Sequence, residues 1–304
     1  MKTAMMLGAL ALLHSASAVP TVKRQAITDA DILQYALTLE HLENVFYKGG
    51  VSQFNEAEFI SAGFSSDYYN NLKYIVHDEE AHVELITSAL SAAGATPVAA
   101  CTYKFPYTDP KGFVSLASVL EGVGTSAYLG AAPSVSSKDY LTVAGSILVT
   151  EALHTSLQRF ALGEVGPANP YGTPLGFNEV YTLAAAFIES CPSSNAALPV
   201  KAFPGLTATQ GIPAAPGITF TFTAASALPS SFFVTFVNGL TVTSVTPSAS
   251  GDVISAVIPE TTTGQTYVVL TSANVTALSD AVVLFGPAIL EVTPSSPTFD
   301  TSEQ

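Results

Sequence analysis

The sequence predicts an α+β chain of two parts. A four-helix bundle with a fifth short helix occupies residues 25–191, and a small antiparallel β-sandwich-like module follows over 217–304, with a linker at 192–216. Two observations carry this. Before about residue 190, long stretches with helix-capping residues at their starts and Gly or Pro at their ends read as helices. From about 205 onward the pattern becomes short runs rich in Val, Thr, Ile and Phe, with turn residues between them.

Taken in order, Met1-Lys2, the apolar AMMLGALALL and Ala16-Ser17-Ala18 form a secretory leader over 1–18. A short propeptide, 19–24, ends in the dibasic pair Lys23-Arg24, so the mature chain is expected to begin at Gln25. Asp29 or Asp31 caps a first helix through LQYALTLEHLENVFY, with Gly49-Gly50 as its stop. Ser65, Ser66 or Asp67 opens a second, which Gly94 ends. Asp109-Pro110 starts a third and Pro133 halts it, because Pro suits the first turn and forbids continuation. Ser136 or Ser137 caps a fourth, running to ALGE, and a fifth spans GFNEVYTLAAAFIES. The strands expected are ITFTFTA, SFFVTFVNG, LTVTSVTP, VISAVIP, TYVVLTS and AVVLFG.

Composition excludes several functions. The chain of 304 residues is 48% hydrophobic and 11% charged, with a mean hydropathy of +0.39. Its longest apolar stretch outside the leader, AVVLFGPAIL, is too short for a membrane span of about 20 residues. Without the leader and propeptide, 7 basic residues face 24 acids, and no Lys or Arg follows Lys201. Nucleic acid and anionic membrane surfaces both need clustered basic residues, so neither is an expected partner. The two cysteines, Cys101 and Cys191, are expected to form one disulfide in an oxidising compartment. Asn274-Val275-Thr276 is a glycosylation sequon.

The chemistry concentrates on the helices. DEEAHVE (78–84) packs four acids and one histidine into seven residues of a weakly charged chain. Within it Glu79 and His82 form Glu-x-x-His, and Glu151 with His154 forms a second. Residues three apart share a helix face, so each pair can point at one centre. The helix before each pair carries an acid followed seven residues later by a tyrosine: Glu40 and Tyr47, then Glu121 and Tyr128. Glu121 and Glu151 stand in very apolar surroundings, where a carboxylate is costly unless paired or bound to metal. A carboxylate–imidazole set without thiolates suits iron or manganese. Asp78 is placed to orient a ligating histidine, while Tyr47 and Tyr128 are placed to hydrogen-bond ligating carboxylates. Glu43, Glu80 and Glu84 are expected to face water, and His41 and His77 to be surface or capping residues rather than ligands.

Through LEHLENVFY, DEEAHVELI, LEGVGTSAYLG and TEALHTSLQRF, residues 29–190 resemble the ferritin-like superfamily. The whole layout resembles a narrower group, the secreted fungal ferritin-like proteins of stress-response or late sexual development type, and more distantly the plant desiccation-related proteins. That resemblance puts Glu40, Glu79, His82, Glu121, Glu151 and His154 in the ligand positions of a dinuclear site, with iron as the expected metal and manganese as the other choice. It implies dioxygen or peroxide as a partner, and ferroxidase or oxidase activity linked to stress or development. The β-module departs from the storage ferritins, whose subunits close into shells. The other reading is a non-catalytic metal-binding or protective protein of the cell wall or spore surface.

Overall fold

The computed structural model describes residues 27–209 and 214–297. The leader and propeptide expected over 1–24 lie outside the described residues. Helix α1 spans Asp29–Gln53, α2 Glu56–Ser61, α3 Ser66–Ala92, α4 Pro110–Ala131, α5 Lys138–Ala161 and α6 Phe177–Ala185. Among the described residues, no helix is long and apolar enough to cross a membrane.

The caps explain where these helices start. Thr28, rather than Asp29 or Asp31, is the N-cap of α1, and Asp31 answers it in a reciprocal capping box. Ser65, Asp109 and Ser137 each accept a hydrogen bond from a backbone N–H in the first turn of α3, α4 and α5. Some ends differ from the expectation. Helix α1 runs through Gly49-Gly50 because Gly50 serves packing: a Cβ there would lie 2.1 Å from the Phe113 ring. Asn55 and Glu58 form a second capping box that starts the short α2, which the sequence reading lacked. The fourth helix stops at Ala161, short of Glu164, where Gly163 takes a left-handed φ of 78°.

The fifth helix also ends early. Instead of continuing to Ser190, the chain extends as β2 (Ile188–Ser190) and pairs antiparallel with β1 (Thr102–Tyr103). The Cys101–Cys191 disulfide lies beside this pair and closes a separation of 90 residues. A covalent tie there holds both segments extended.

Eight further strands form the β-module: β3 (Leu206–Ala208), β4 (Thr219–Ala224), β5 (Phe233–Asn238), β6 (Thr241–Val245), β7 (Ser248–Ser250), β8 (Val253–Val257), β9 (Gly264–Thr271) and β10 (Val283–Val292). Two of them revise the sequence expectation. Strand β3 lies inside the stretch expected to be linker, because its residues pair with Thr223 and its neighbours on β4. Strand β10 continues past Gly286-Pro287, with register irregularities there, which an edge strand tolerates. The sheets are antiparallel, in the orders β10-β9-β5-β6 and β3-β4-β8-β7.

Phe220, Phe222, Phe236, Ile254, Val268 and Leu270 fill the space between the two sheets. The opposite face of the first sheet is also covered, since Val237 and Tyr267 belong to the core of the bundle. The layers therefore run bundle, sheet, sheet. Three contacts lock the docking. Tyr267 donates to the Gly122 carbonyl at 2.8 Å. Gln265 donates to the Val119 carbonyl at 3.2 Å. The buried Arg159 of α5 grips Glu291 of β10 with both terminal nitrogens, at 2.5 and 2.6 Å. Gly122 and Val119 belong to the helix that carries Glu121, so the β-module braces the wall of the acidic cluster.

Candidate metal centre

Helices α1, α3, α4 and α5 bring Glu40, Glu79, His82, Glu121, Glu151 and His154 to one point in the bundle core. All six are buried, the four carboxylates completely. Glu79 with His82, and Glu151 with His154, share a face of their helices as i,i+3 pairs, so each helix delivers a carboxylate and an imidazole together. His82 Nδ1 lies 3.2 Å from Glu40 Oε2 and 3.4 Å from Glu151 Oε1. His154 Nδ1 lies 3.1 Å from Glu79 Oε1 and 3.4 Å from Glu121 Oε2. Both imidazoles thus turn Nδ1 toward the acids.

Two overlapping groups have donor atoms close enough to share an ion: Glu40, Glu79, His82 and Glu151, and Glu79, Glu121, Glu151 and His154. Glu79 and Glu151 belong to both, as bridging carboxylates would. The donor atoms fit a metal better than a closed hydrogen-bond network. Both oxygens of Glu79, both of Glu151, Glu121 Oε2 and His154 Nδ1 are buried without an aligned hydrogen bond. Such orphaned groups are costly unless something else coordinates them.

The tyrosines cross between the halves. Tyr47 of α1 donates to Glu121 of α4, and Tyr128 of α4 donates to Glu40 of α1. Asp78 Oδ2 accepts from His154 Nε2 at 3.3 Å, which supports the histidine of the other Glu-x-x-His helix. Asp78 has no acidic twin, since Thr150 occupies the matching place and bonds back to the Ser146 carbonyl.

Metal-free, the cluster is electrostatically strained. Burial pushes Glu40 up to about 7, with His82 pulling the other way. Glu151 is driven well above the carboxylate range by burial and then by Glu79 and Glu121. Burial would raise Glu79 too, but hydrogen bonds to His154 and His82 hold it low. Burial opposes a charge on His154, yet Glu121 and Glu79 raise it to about 11.

Glu43 departs from the sequence expectation. It is buried, not solvated. Position 43 lies one turn from Glu40 on the same face, and α1 is enclosed there by α4. Burial first, then the charges of Glu151, Glu79, Glu40 and Glu121, pushes its pKa far up. The internal repeat held the signal: aligning Glu40 with Glu121 and Tyr47 with Tyr128 sets Glu43 opposite Gly124. A Cβ on Gly124 would lie 2.4 Å from Glu151 Oε2 and 2.8 Å from Glu43 Oε1, so the missing side chain makes room for the added acid. Gln158 was also missed. Fully buried, it accepts from Tyr68 at 2.5 Å and donates to Tyr47 at 3.1 Å, extending the chain of bonds that ends on Glu121.

The remaining candidates lie apart from the cluster. Glu80 and Glu84 are exposed, with Glu80 paired to Lys48 at 2.7 Å. His41 Nε2 bonds the Val98 carbonyl at 3.0 Å, and His77 is exposed. Asn274 is exposed between β9 and β10.

Comparison with known proteins agrees with this geometry. Residues 28–164 match the family model described as "Ferritin-like domain". Protein rds1 of Schizosaccharomyces pombe is 27% identical over 185 residues, covering 59% of this chain and 44% of its own length. The chain thus spans under half the length of that curated relative. A conserved hypothetical protein of Mycobacterium tuberculosis, known from a crystal structure, is similar at 21% identity with a TM-score of 0.37, over 44% of this chain and 91% of its own. The helical region is a ferritin-like domain carrying a buried Glu/His cluster compatible with two metals.

Proposed function

We propose that this chain is a secreted di-iron carboxylate protein that acts as an oxidase or ferroxidase, with a role in stress or development. The observation that carries the reading is the set of buried, unpartnered carboxylate oxygens shared by two overlapping ligand groups. Glu40, Glu79, His82 and Glu151 would hold one metal, and Glu79, Glu121, Glu151 and His154 the other. Carboxylate and imidazole donors favour iron or manganese, and a pair of such ions supplies redox chemistry toward dioxygen or peroxide. The chain's own residues orient the donors: Tyr47 and Tyr128 fix Glu121 and Glu40, and Asp78 fixes the His154 ring. Secretion is supported by the leader pattern of residues 1–18, the Cys101–Cys191 disulfide and the exposed Asn274.

Metal analysis of the purified protein, followed by anaerobic ferrous loading and exposure to oxygen, tests the reading. The expected result is about two irons per chain and an oxygen-dependent absorbance change, both lost in Glu79→Gln. A wild-type protein that retains no metal, or that ignores oxygen when loaded, overturns it.

A further inference from the structure

Between the bundle and the β-module lies a cavity of about 740 Å³. Its walls come from α1, α4 and α6 on one side, and from β3, β9 and β10 on the other. That volume is in the range of sites for small organic ligands, roughly 300–1,000 Å³. The other cavity near the cluster, lined by Leu39 and Tyr128, is only about 100 Å³ and too small for one.

Two features tie the large cavity to the metal centre. Glu43 and Gly124 both line it. Beyond Gly124 is Glu151, whose Oε2 would stand 2.4 Å from a Cβ at that position. At this point the wall is one glycine thick. Glu43 is held among the acids of the centre and also borders the cavity, so it marks where the two spaces meet.

The lining defines the ligand. It is mostly apolar, with Leu42, Val123, Leu183, Phe187, Leu206 and Ile289 among its residues. The charged groups in it are Glu43, Glu164 and Glu291, and no Lys, Arg or His lines it. Arg159, just behind, is occupied by Glu291 and Glu164 at 2.5 and 3.8 Å. An anion entering would meet uncompensated carboxylates in a low-dielectric space, at a cost that a neutral or cationic molecule avoids.

We propose that this cavity binds a small, mostly apolar organic molecule, neutral or cationic, with its inner end against Glu43 and Gly124 beside the metal centre. The β-module then has a definite role: it forms the outer wall of a substrate site that the bundle alone would leave open. The proposal rests on the oxidase reading for its catalytic meaning and makes the substrate organic rather than ferrous ion, but the binding itself needs no metal.

Fluorine NMR titrations of the full-length, metal-free protein test it with three probes of one shape: fluorobenzene, para-fluorobenzylammonium and para-fluorobenzoate. The first two are expected to bind saturably and the benzoate is not. Thr207→Trp and Ala186→Trp place bulk at exposed rim positions, where the fold tolerates it. Each should weaken fluorobenzene roughly tenfold or more by overpacking. Saturable binding that both tryptophans leave unchanged, no binding, or equal binding of the benzoate overturns the proposal. In protein shown to hold Mn(II), the bound fluorobenzene signal should broaden relative to a Zn(II)-loaded control. Absence of broadening overturns the placement beside the centre. Failure of the metal analysis leaves the metal-free titrations to decide the cavity on their own.

Discussion

Asp78 and His154 sit on different helices, yet the aspartate accepts from the histidine Nε2 at 3.3 Å and so leaves Nδ1 facing Glu79 at 3.1 Å. A carboxylate behind a ligating imidazole fixes its ring orientation and tautomer. Replacing Asp78 with Asn or Ala should therefore lower metal affinity by about 10–100-fold. His82 should be unaffected, because the equivalent position beside it is Thr150. Metal titration monitored by calorimetry, with circular dichroism as a control on folding, measures this.

Gly124 offers a sharper test. Alanine favours a helix by up to about 1 kcal/mol over glycine, so Gly124→Ala should not lower helicity. Its methyl would fall on Glu151 Oε2 and Glu43 Oε1, and one of those carboxylates must move. The expected outcome is a metal-free protein as stable as the wild type with weakened metal binding, read by thermal melts and equilibrium dialysis.

Removing metal should destabilise the fold. A ligand at a hundred times its dissociation constant adds about 2.7 kcal/mol, which for a chain of this size raises Tm by roughly 5–10 °C. Chelation should reverse that gain. Glu151→Gln should behave oppositely in the two states. It relieves the repulsion from Glu79 and Glu121 that keeps Glu151 raised, so the metal-free variant melts above metal-free wild type. The variant should gain little when metal is added. Calorimetric melts of the four samples decide the point.

Cys101–Cys191 closes a loop of 90 residues around three of the four helices that carry the cluster. In the chain-entropy treatment such a loop adds up to about 4–5 kcal/mol of stability. Double replacement by Ser should lower the urea midpoint accordingly. It should also loosen the β1–β2 pair first, detectable as faster amide exchange at Thr102 and Ser190.

Glu179 supplies a pH dependence outside the cluster. Burial, reinforced by Asp280, pushes it up to about 7. Its folded value lies above the unfolded one, so the native state holds the proton more tightly. Stability contributed by this group falls as pH rises from about 4.5 to 7 and is level beyond that range. Glu179→Gln should flatten that slope and stabilise the protein at pH 8 by roughly 1–3 kcal/mol. The difference between wild-type and variant urea melts at pH 5 and pH 8 isolates the term.

Much of the site was legible in the sequence because a helix has a fixed period. Glu79 with His82 and Glu151 with His154 needed only a spacing of three to share a face, and the apolar context of Glu121 and Glu151 announced their burial. Glu43 escaped because burial depends on what covers a face. Spacing put it beside Glu40, but only the approach of α4 at Gly124 shows that this side is closed. Asp78 was visible as a supporting residue, while its partner on the opposite helix was not. The fifth helix was extended into Ser190 for a similar reason: the local pattern there is helical, and the pairing with Thr102 that overrides it is a contact between distant segments.

The sequence by itself determined the two-part architecture, the helix caps and the six acids and histidines of the cluster, since each follows from local spacing and backbone chemistry. Tertiary structure alone decided which tyrosine serves which glutamate, that Glu43 joins the cluster, and that the β-module encloses a cavity against the bundle. These are relations between faces of separate elements. A periodic pattern specifies that a face is apolar or acidic, but the docking of Tyr267 and Arg159 across the interface determines what it meets.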